Sequence, residues 1–413
     1  MISVEKLPNI DNIENNEIYE ILTNNVGYFT HSFFKYPAKF IPQIPAWAID
    51  NFTNTDDIVL DCFAGSGTTL IEASLKSREC LGVDFDEISR LLSRVKSTKL
   101  SKKDIKLIKT ILLKFDKEKY IDKPLPKLKN LNHWFPEKNI KSLNALYFYI
   151  IELKASKKII DFLLVCYISS IRKSSYSDEQ SPKPYISTKH KKEPKETVQL
   201  FNTIVEKYIE KLDTDDFNLH FKAKFIGNDA RNFKAKKYYN KVKLVCASPP
   251  YINAFDYVRI LRLENVWLRN LDDNNIIEHK KNQIGTEQIY ANEYNELTHK
   301  FGIAELDNKI DELYKIDKKR AHIVCKYFVD MEENIINIRK YLKEDGSYVL
   351  VVGDCEIRKI VFPVYKYLIE LAEKNKYKNS KVFSYLIRNP YLRIPRKKRG
   401  GLIKYDRIIV LNK

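Results

Sequence analysis

The sequence predicts an α/β protein built around a mostly parallel β-sheet, and three short stretches carry that prediction. Ile58 to Ala73 has the pattern of a strand, a glycine turn and a helix. Cys80 to Asp84 is a second short apolar run that ends in an acid. Val242 to Ala247 is a third, and it stops at Ser248-Pro249-Pro250-Tyr251. Short apolar runs bounded by turn residues are typical of parallel strands buried on both faces.

Composition narrows the class of protein. The chain has 413 residues with 44% hydrophobic content, enough for two domains or for one large domain with an insertion. The 72 basic and 54 acidic residues give a formal net charge of +18, which favours a polyanionic partner such as nucleic acid. The alternative is a lysine-rich composition without functional meaning.

Cysteine spacing and hydropathy restrict the cellular setting. The six cysteines are far apart and form no Cys-x-x-Cys pair, which argues against a zinc site and a disulfide framework. Met1 to Ile10 lacks an apolar signal region, and the longest apolar run, Ile159 to Ile171, is too short to span a bilayer. We therefore expect a cytoplasmic protein with no membrane association.

The first turn has the chemistry of a ligand-binding loop. Gly65 and Gly67 allow close approach of the backbone to a ligand, and Ser66 and Thr68 can cap the helix that follows. Asp61 ends the strand just before the turn. No Gly-Lys-Ser/Thr follows, so this is not a Walker A loop.

Asp84 lies about twenty residues beyond that turn, where nucleotide-binding α/β folds place a carboxylate on the ribose hydroxyls. The alternative is an ordinary acid at a strand end. Asp229 similarly follows the apolar residues Phe225 and Ile226. The sequence thus predicts several polar groups at the carboxyl ends of neighbouring strands.

The Ser-Pro-Pro-Tyr stretch suits recognition of an exocyclic amine. Prolines fix φ and lack an amide hydrogen, so the turn is rigid and its carbonyls are exposed. Ser248 Oγ and the Pro249 carbonyl can accept hydrogen bonds from an amino group, and the Tyr251 ring can stack on the base that bears it. A plain strand followed by a proline-rich loop is the alternative.

Residues 88–224 interrupt the α/β pattern with apolar residues at helical spacing, which predicts a mostly helical insertion. Arg172 to Lys195 breaks that periodicity with basic residues, tyrosines and prolines. The segment is either a solvated mobile loop or a loop that DNA orders, because basic residues meet phosphates and aromatic rings can stack. The candidate DNA-binding residues are Arg172, Lys173, Tyr176, Lys183, Lys189, Lys191 and Lys192.

The two ends of the chain complete the prediction. Residues 1–30 are predicted to be a polar extension with a short helix and a linker, and His31 to Pro42 interleaves aromatics with lysines. After Phe255, residues 272–319 fit no clear pattern. The remaining predicted elements are a helix at Arg320–Leu342, a strand at Tyr348–Asp354, a helix at Ile360–Lys374, strands at Lys381–Ile387 and Arg407–Leu411, and a basic loop at Arg393–Gly401.

In this order, the chain resembles the amino-methylating DNA methyltransferases that use S-adenosylmethionine, the enzymes of restriction–modification systems. Asp61 to Thr68 is similar to their cofactor motif, and His31 to Phe40 to the segment beside the methionine end of the cofactor. Asp84 matches the ribose-binding acid, Asp229 the position beside the adenine ring, and Ser248 to Tyr251 the catalytic motif. The resemblance covers residues 31–87 and 225–413, the catalytic domain it implies.

The resemblance implies a Rossmann-like class I methyltransferase fold, with a mostly parallel seven-stranded sheet and a C-terminal antiparallel strand. The implied catalytic residues are Ser248, Pro249, Pro250 and Tyr251. The implied residues for S-adenosylmethionine are His31, Lys39, Asp61, Phe63, Ala64, Gly65, Ser66, Gly67, Thr68, Asp84, Asp229 and Ser248. No separate recognition domain follows the last strand, so the insertion at residues 88–224 is the candidate DNA-recognition lobe.

In this family a serine in first place of the catalytic motif indicates the N4 amine of cytosine, whereas Asn or Asp goes with adenine N6. The resemblance therefore implies a site-specific cytosine-N4 methyltransferase that acts on a flipped base of double-stranded DNA, with a cognate endonuclease as a possible partner. Adenine-N6 methylation, methylation of RNA or of a protein glutamine, and a non-catalytic DNA-binding scaffold are the alternatives. Cytosine C5 methylation is rejected because no Pro-Cys pair occurs.

Overall fold

The computed structural model describes residues 1–23, 25–214, 217–252, 256–297, 299–388 and 404–413. Its centre is one nine-stranded sheet with helices on both faces. The strands are β1 Ile2–Val4, β2 Ile18–Ile21, β3 Ile58–Asp61, β4 Glu79–Val83, β5 Lys224–Gly227, β6 Val242–Ala247, β7 Leu342–Gly353, β8 Cys355–Ile357, β9 Ile360–Phe362, β10 Lys378–Leu386 and β11 Tyr405–Asn412. β8 and β9 form a separate two-stranded sheet.

The order of the large sheet is β1-β2-β10-β11-β7-β6-β3-β4-β5. β4 pairs parallel with both β3 and β5, and β6 pairs parallel with both β3 and β7. β11 is antiparallel to both of its neighbours, β7 and β10. From β5 to β10 this is a seven-stranded sheet with one antiparallel strand near the chain end, so the predicted Rossmann-like methyltransferase fold is confirmed.

Helices cover the sheet and form the insertion. They are α1 Gln43–Phe52, α2 Thr68–Leu75, α3 Glu87–Lys96, α4 Lys102–Leu113, α5 Leu131–Trp134, α6 Glu137–Ile151, α7 Lys157–Ile171, α8 Thr197–Leu212, α9 Tyr257–Ile260, α10 Arg262–Trp267, α11 Ile276–Lys281, α12 Ala304–Ile316, α13 Lys318–Arg339 and α14 Val364–Lys374. None of these helices is long and apolar enough to cross a membrane.

The N-terminal segment differs from its prediction. Besides a short 3-10 helix at Ile10–Asn12, it contributes β1 and β2 to the edge of the sheet, where β2 pairs parallel with β10. Ile18 and Ile21 flank Tyr19, which packs edge-on against Phe383 at a ring distance of 6.0 Å. The sequence did not predict these strands because each contains only three or four residues and lies in an Asn/Glu-rich segment.

The insertion between β4 and β5 is mostly helical, as predicted. Helices α3 to α8 and α10 bury a core of their own, and Phe33, Phe34 and Tyr36 from the N-terminal segment join it. This aromatic segment therefore lies between the helical lobe and the sheet. It also hydrogen-bonds to the lobe, because the Phe34 amide donates to Tyr208 Oη at 2.8 Å.

The last part of the chain follows its predicted pattern with two refinements. The unplaced residues 272–319 contain α11 and α12, and the predicted helix at Ile360–Lys374 begins only at Val364, after the short strand β9. Phe255 and the basic loop Arg393–Gly401 lie outside the described residues. β11 returns the chain to the middle of the sheet at Tyr405.

Candidate active site

A cleft opens at the carboxyl ends of β3, β4 and β6, where a parallel sheet places its ligands. It encloses about 880 Å³, including its open mouth. Its lining residues are Tyr36, Ala38, Lys39, Phe40, Cys62, Phe63, Ala64, Gly65, Ser66, Thr68, Asp84, Phe85, Asp86, Asn228, Asp229, Ala230, Ser248, Pro250, Tyr257, Val258, Asn282, Gln283 and Ile284. All three motifs singled out from the sequence therefore reach one cavity.

The two glycines of the first turn have different tasks. Gly65 lines the cleft with φ +49°, and a Cβ there would meet the Tyr36 ring at 3.4 Å. Gly67 does not line the cleft. Its φ is +80°, and a Cβ would lie 2.9 Å from the Ser93 Cα, so this glycine lets α3 pack against the turn. The expected approach to a ligand thus applies to Gly65 alone.

Asp61 and Ser66 carry unpaired polar atoms at the same turn. Asp61 is buried behind the lining residues; its Oδ1 accepts from the Phe63 amide at 3.0 Å, and its Oδ2 has no hydrogen bond of good geometry among the described residues, although the nearby Thr69 hydroxyl lowers the pKa of Asp61. The Ser66 hydroxyl is also buried and without a partner there. Burial raises the pKa of Asp61 to about 7. Such buried orphan oxygens indicate a place for a ligand that donates hydrogen bonds or carries positive charge.

Asp84 lies opposite the glycine turn. Its Oδ2 accepts from the Gly65 amide at 2.7 Å and its Oδ1 from the Asp86 amide at 2.8 Å. Burial raises the pKa of Asp84 to about 6. The next residue, Phe85, lines the cleft and stacks on His279 from α11 at a ring distance of 4.2 Å. A carboxylate beside an aromatic wall is suited to a hydroxyl-bearing nucleoside.

Asp229 lines the cleft, but its carboxylate is already paired. Arg231 donates to both oxygens, at 2.9 Å from Nε to Oδ1 and 2.7 Å from Nη2 to Oδ2. Burial acts to raise the pKa of Asp229, but the hydrogen bonds and charge of Arg231 outweigh it and the pKa is lowered. Arg231 also contacts Asp330 of α13 at 3.0 Å. Asp229 is therefore a fixed anion held by a network from α13.

His31 does not reach the cleft. Its Nε2 lies 2.7 Å from Glu72 Oε1 in a buried pair, and its carbonyl accepts from Lys39 Nζ at 2.6 Å. Lys39 itself lines the cleft, and burial lowers its pKa to about 8. Of the two predicted contacts in this segment, Lys39 lines the cleft and His31 lies behind it; the same segment also supplies Tyr36, Ala38 and Phe40 to the lining. Sequence spacing could not separate these two positions.

The Ser-Pro-Pro-Tyr motif directly follows β6 and reaches the cleft. Ser248 and Pro250 line it, whereas Pro249 and Tyr251 are not among the lining residues. The Tyr251 hydroxyl donates to Asp406 Oδ1 at 2.7 Å. Ser248 stands in the same cavity as Gly65 and Asp84, so a group held at the motif would face a ligand held at the turn.

Part of the cleft wall comes from the segment that the sequence left unplaced. Asn282, Gln283 and Ile284 line the cavity after α11. Gly285 follows with φ +76°, and a Cβ there would lie 3.6 Å from the Tyr251 carbonyl and 3.7 Å from the Pro250 side chain. A glycine after a polar helix was the available signal for this close approach, but it lay in a region without periodicity.

The predicted DNA-binding residues divide into three groups. Arg172 and Lys192 turn inward: the Arg172 guanidinium donates to the carbonyls of Ser181 and Pro182, and Lys192 Nζ donates to the carbonyls of Arg172 and Ser177. The side chains of Lys183, Lys189 and Lys191 are exposed, whereas Lys173 and Tyr176 are partly buried.

The fold and the cleft define a class: an α/β domain of methyltransferase topology whose glycine turn, strand-end acids and Ser-Pro-Pro-Tyr motif meet at one site. A family model described as DNA methylase matches residues 8–94. The type II methyltransferase M.MvaI of Kocuria varians is 24% identical, over 93% of this chain and 89% of its own.

Two further proteins are similar over shorter stretches. The type II methyltransferase M.MjaII of Methanocaldococcus jannaschii is 35% identical, over 32% of this chain and 24% of its own. A putative DNA modification methylase of Thermus thermophilus, solved with S-adenosyl-L-methionine, covers 45% of this chain and 53% of its own, at 16% identity and a TM-score of 0.22. The family model and the type II relatives confirm the predicted resemblance and support a DNA methyltransferase of the amino-methylating kind.

Proposed function

We propose that this protein methylates the exocyclic N4 amine of cytosine in double-stranded DNA, with S-adenosylmethionine as the methyl donor. The observation that carries the proposal is the shared cavity of Ser248, Gly65 and Asp84. A motif that accepts hydrogen bonds from an amine and a turn that fits a nucleoside-like cofactor open on the same space. This is the arrangement that direct transfer between two bound molecules requires.

The residues of the cleft fit this cofactor on physical grounds. The chain as a whole has a net charge of +18, but two buried carboxylates, Asp61 and Asp84, lie close to the glycine turn, and the pKa values of both are raised. A cationic ligand with hydroxyl groups stabilises both in their charged form. Asp84 would accept from the ribose, Asp61 and Ser66 would take the amino-acid end, and Phe85 would contact the base. When bound, S-adenosylmethionine supplies an electrophilic methyl group.

The motif would prepare the amine. The lone pair of an exocyclic amine is delocalised into its ring, which makes it a poor nucleophile. Hydrogen bonds from the amine to Ser248 Oγ and the Pro249 carbonyl favour a pyramidal nitrogen with its lone pair free. The nitrogen–carbon bond then forms as the sulfur–carbon bond breaks, and the amine releases one proton. The base must leave the duplex to reach the cleft, and the Tyr251 ring, partly exposed beside the lining residues Ser248 and Pro250, would stack on it.

The cysteines near the site do not favour covalent catalysis. Cys62 lines the cleft, but burial raises the pKa of its thiol to about 12, and its sulfur contacts the Tyr348 hydroxyl at 3.3 Å. Cys246 is fully buried in β6, and burial raises its pKa as well. A thiol that stays protonated is a weak nucleophile. Both groups therefore favour direct transfer to an amine over attack on a ring carbon.

DNA would lie against the helical lobe beside the cleft. The Arg172–Lys195 loop presents exposed Lys183, Lys189 and Lys191, with Tyr185 half-exposed among them. Lysines of this kind contact phosphates and position the duplex. A cytoplasmic location and a cognate restriction endonuclease belong to the same proposal, because methylation protects sites that such an enzyme would cut.

Product analysis tests the proposal. Purified protein would be incubated with unmodified DNA and radiolabelled S-adenosylmethionine, and the DNA digested to nucleosides for mass spectrometry. We expect N4-methylcytosine, formed about a hundredfold more slowly by Ser248→Ala under the same conditions. N6-methyladenine would keep the amine chemistry and move the target base. Absence of any DNA product from a protein that binds the cofactor would refute the assignment.

A further inference from the structure

A buried carboxylate connects the catalytic motif to the antiparallel strand of the sheet. Asp406 lies near the start of β11 and is 7% exposed. Its Oδ1 accepts from the Tyr251 hydroxyl and its Oδ2 from the Tyr385 hydroxyl, both at 2.7 Å. One carboxylate thus joins β11 and β10 to the residue that ends the Ser-Pro-Pro-Tyr motif.

The two phenols are the contacts that hold this carboxylate in the described structure. Among the residues that the structure describes, Asp406 forms no ion pair. The adjacent Arg407 contacts Asp354 and Ser384 instead. Burial raises the pKa of Asp406, and the hydrogen bonds from Tyr385 and Tyr251 lower it. A buried acid without a cation is costly, which favours a specific task for it over simple packing.

The contact fixes Tyr251 at its far end. The backbone of Tyr251 follows two prolines, and Gly285 packs against its carbonyl, so the near end is also restrained. With the hydroxyl donated to Asp406, stacking would use the ring face; Tyr251 does not line the cleft itself but is partly exposed beside Ser248 and Pro250, which do. Stacking uses the ring face, and it is most effective when the ring is already oriented before binding.

We propose that Asp406 is a positioning residue that holds the Tyr251 ring in place for stacking on the target base. This inference rests on the proposed function, because it assigns a partner to a residue of that same site. Asp406 itself touches neither base nor cofactor. It acts through Tyr251, and its effect should therefore vanish when the Tyr251 hydroxyl is absent.

The test is a double-mutant cycle on methyl transfer to unmodified DNA, with kcat and KM measured separately. Tyr251→Phe keeps the stacking ring and removes the hydrogen bond to Asp406, together with the contact of the Tyr251 hydroxyl with the Ser248 side chain. Asp406→Asn keeps shape and burial and leaves a single acceptor oxygen for two phenols. We expect each variant to lower kcat on the order of tenfold, with cofactor affinity within about twofold of wild type. The double variant should be no worse than either single variant.

The control is Tyr377→Phe, which removes another buried phenol, one that donates to the Ile335 carbonyl at 3.0 Å away from the cleft. It should lower thermal stability and leave kcat unchanged. An Asp406→Asn variant that behaves in the same way would overturn the inference, and so would losses that add in the double variant. A wild-type protein without DNA methylation would instead refute the proposed function, so the two failures are distinct.

Discussion

The cleft and the Arg172–Lys195 loop contain similar residues, charged and aromatic side chains between turns, but they use them differently. At the cleft, Asp84 lines the cavity and accepts from two backbone amides, and Asp61 behind it has one oxygen without a hydrogen bond of good geometry among the described residues. In the loop, Arg172 and Lys192 donate hydrogen bonds to backbone carbonyls of the loop itself. The contacts of a charged side chain can therefore be predicted from the sequence only where the motif also fixes the conformation of the surrounding backbone.

The contrast has a physical cause. Beside Ser248, two prolines fix the backbone, and at the turn Gly65 adopts a positive φ that few other residues tolerate, so the backbone geometry follows from the motif. In the loop, nothing local decides whether an arginine faces solvent or a nearby carbonyl. Long basic side chains satisfy buried carbonyls as readily as phosphates.

The largest effect should come from the cleft. Ser248→Ala removes the side-chain acceptor for the amine, and we expect kcat for DNA methylation to fall by about a hundredfold. S-adenosylmethionine affinity, measured by calorimetry, should change little because the other turn contacts remain. Ser347→Ala, which loses a hydroxyl contact to Asn412 Oδ1 elsewhere in the sheet, is the control. Equal activity of both variants would contradict the role of Ser248.

The sequence was sufficient for the sheet and for one half of the site. The strands β3, β4 and β6 and their polar ends followed from short apolar runs bounded by glycine, acid and proline. The edge strands β1 and β2 and the wall at Asn282–Ile284 did not, because each depends on partners far along the chain. Asp406 was likewise invisible, since its importance arises only when β11 brings it to Tyr251.

Arg172 should prove to be a stability residue. Arg172→Ala removes two hydrogen bonds from a charged donor, to Ser181 and Pro182, and leaves those carbonyls without it. We expect the free energy of unfolding to fall by about 2 kcal/mol. Denaturant unfolding measures this, with Lys189→Ala as the exposed control that should change it by less than about 0.5 kcal/mol. Unchanged stability in Arg172→Ala would return this arginine to the DNA-contacting group.

The acids of the cleft predict how cofactor affinity depends on pH. Asp84, with a pKa of about 6, and Asp61, with a pKa of about 7, must each be deprotonated to accept from the ligand or to pair with its cation. Below these values binding requires release of a proton, so affinity should weaken by about tenfold per pH unit per acid.

Calorimetry from about pH 5 to about pH 8 would measure that dependence. Asp84→Asn should bind more weakly at high pH and lose the part of the dependence centred near pH 6, while the part near pH 7 from Asp61 remains. A wild-type affinity that does not vary with pH across this range would show that neither acid contacts the cofactor.

The smallest effect concerns the exposed lysines of the loop. It separates lysines that contact DNA from the basic residues that hold the loop together. Lys189→Ala with Lys191→Ala removes two side chains that face solvent. If both contact phosphates, the slope of log affinity against log salt should become shallower by about two units, with a several-fold loss of affinity at low salt. Stability should stay at the wild-type level because neither lysine supports the loop. Fluorescence anisotropy of labelled duplex DNA, from about 50 to about 200 mM salt, measures both quantities.

Lys102→Ala with Lys103→Ala, two exposed lysines at the start of α4, is a control of equal charge change. An equal loss of slope in both pairs would mean that the lysines contribute only diffuse attraction, and the DNA-contacting surface would then have to be sought elsewhere on the lobe.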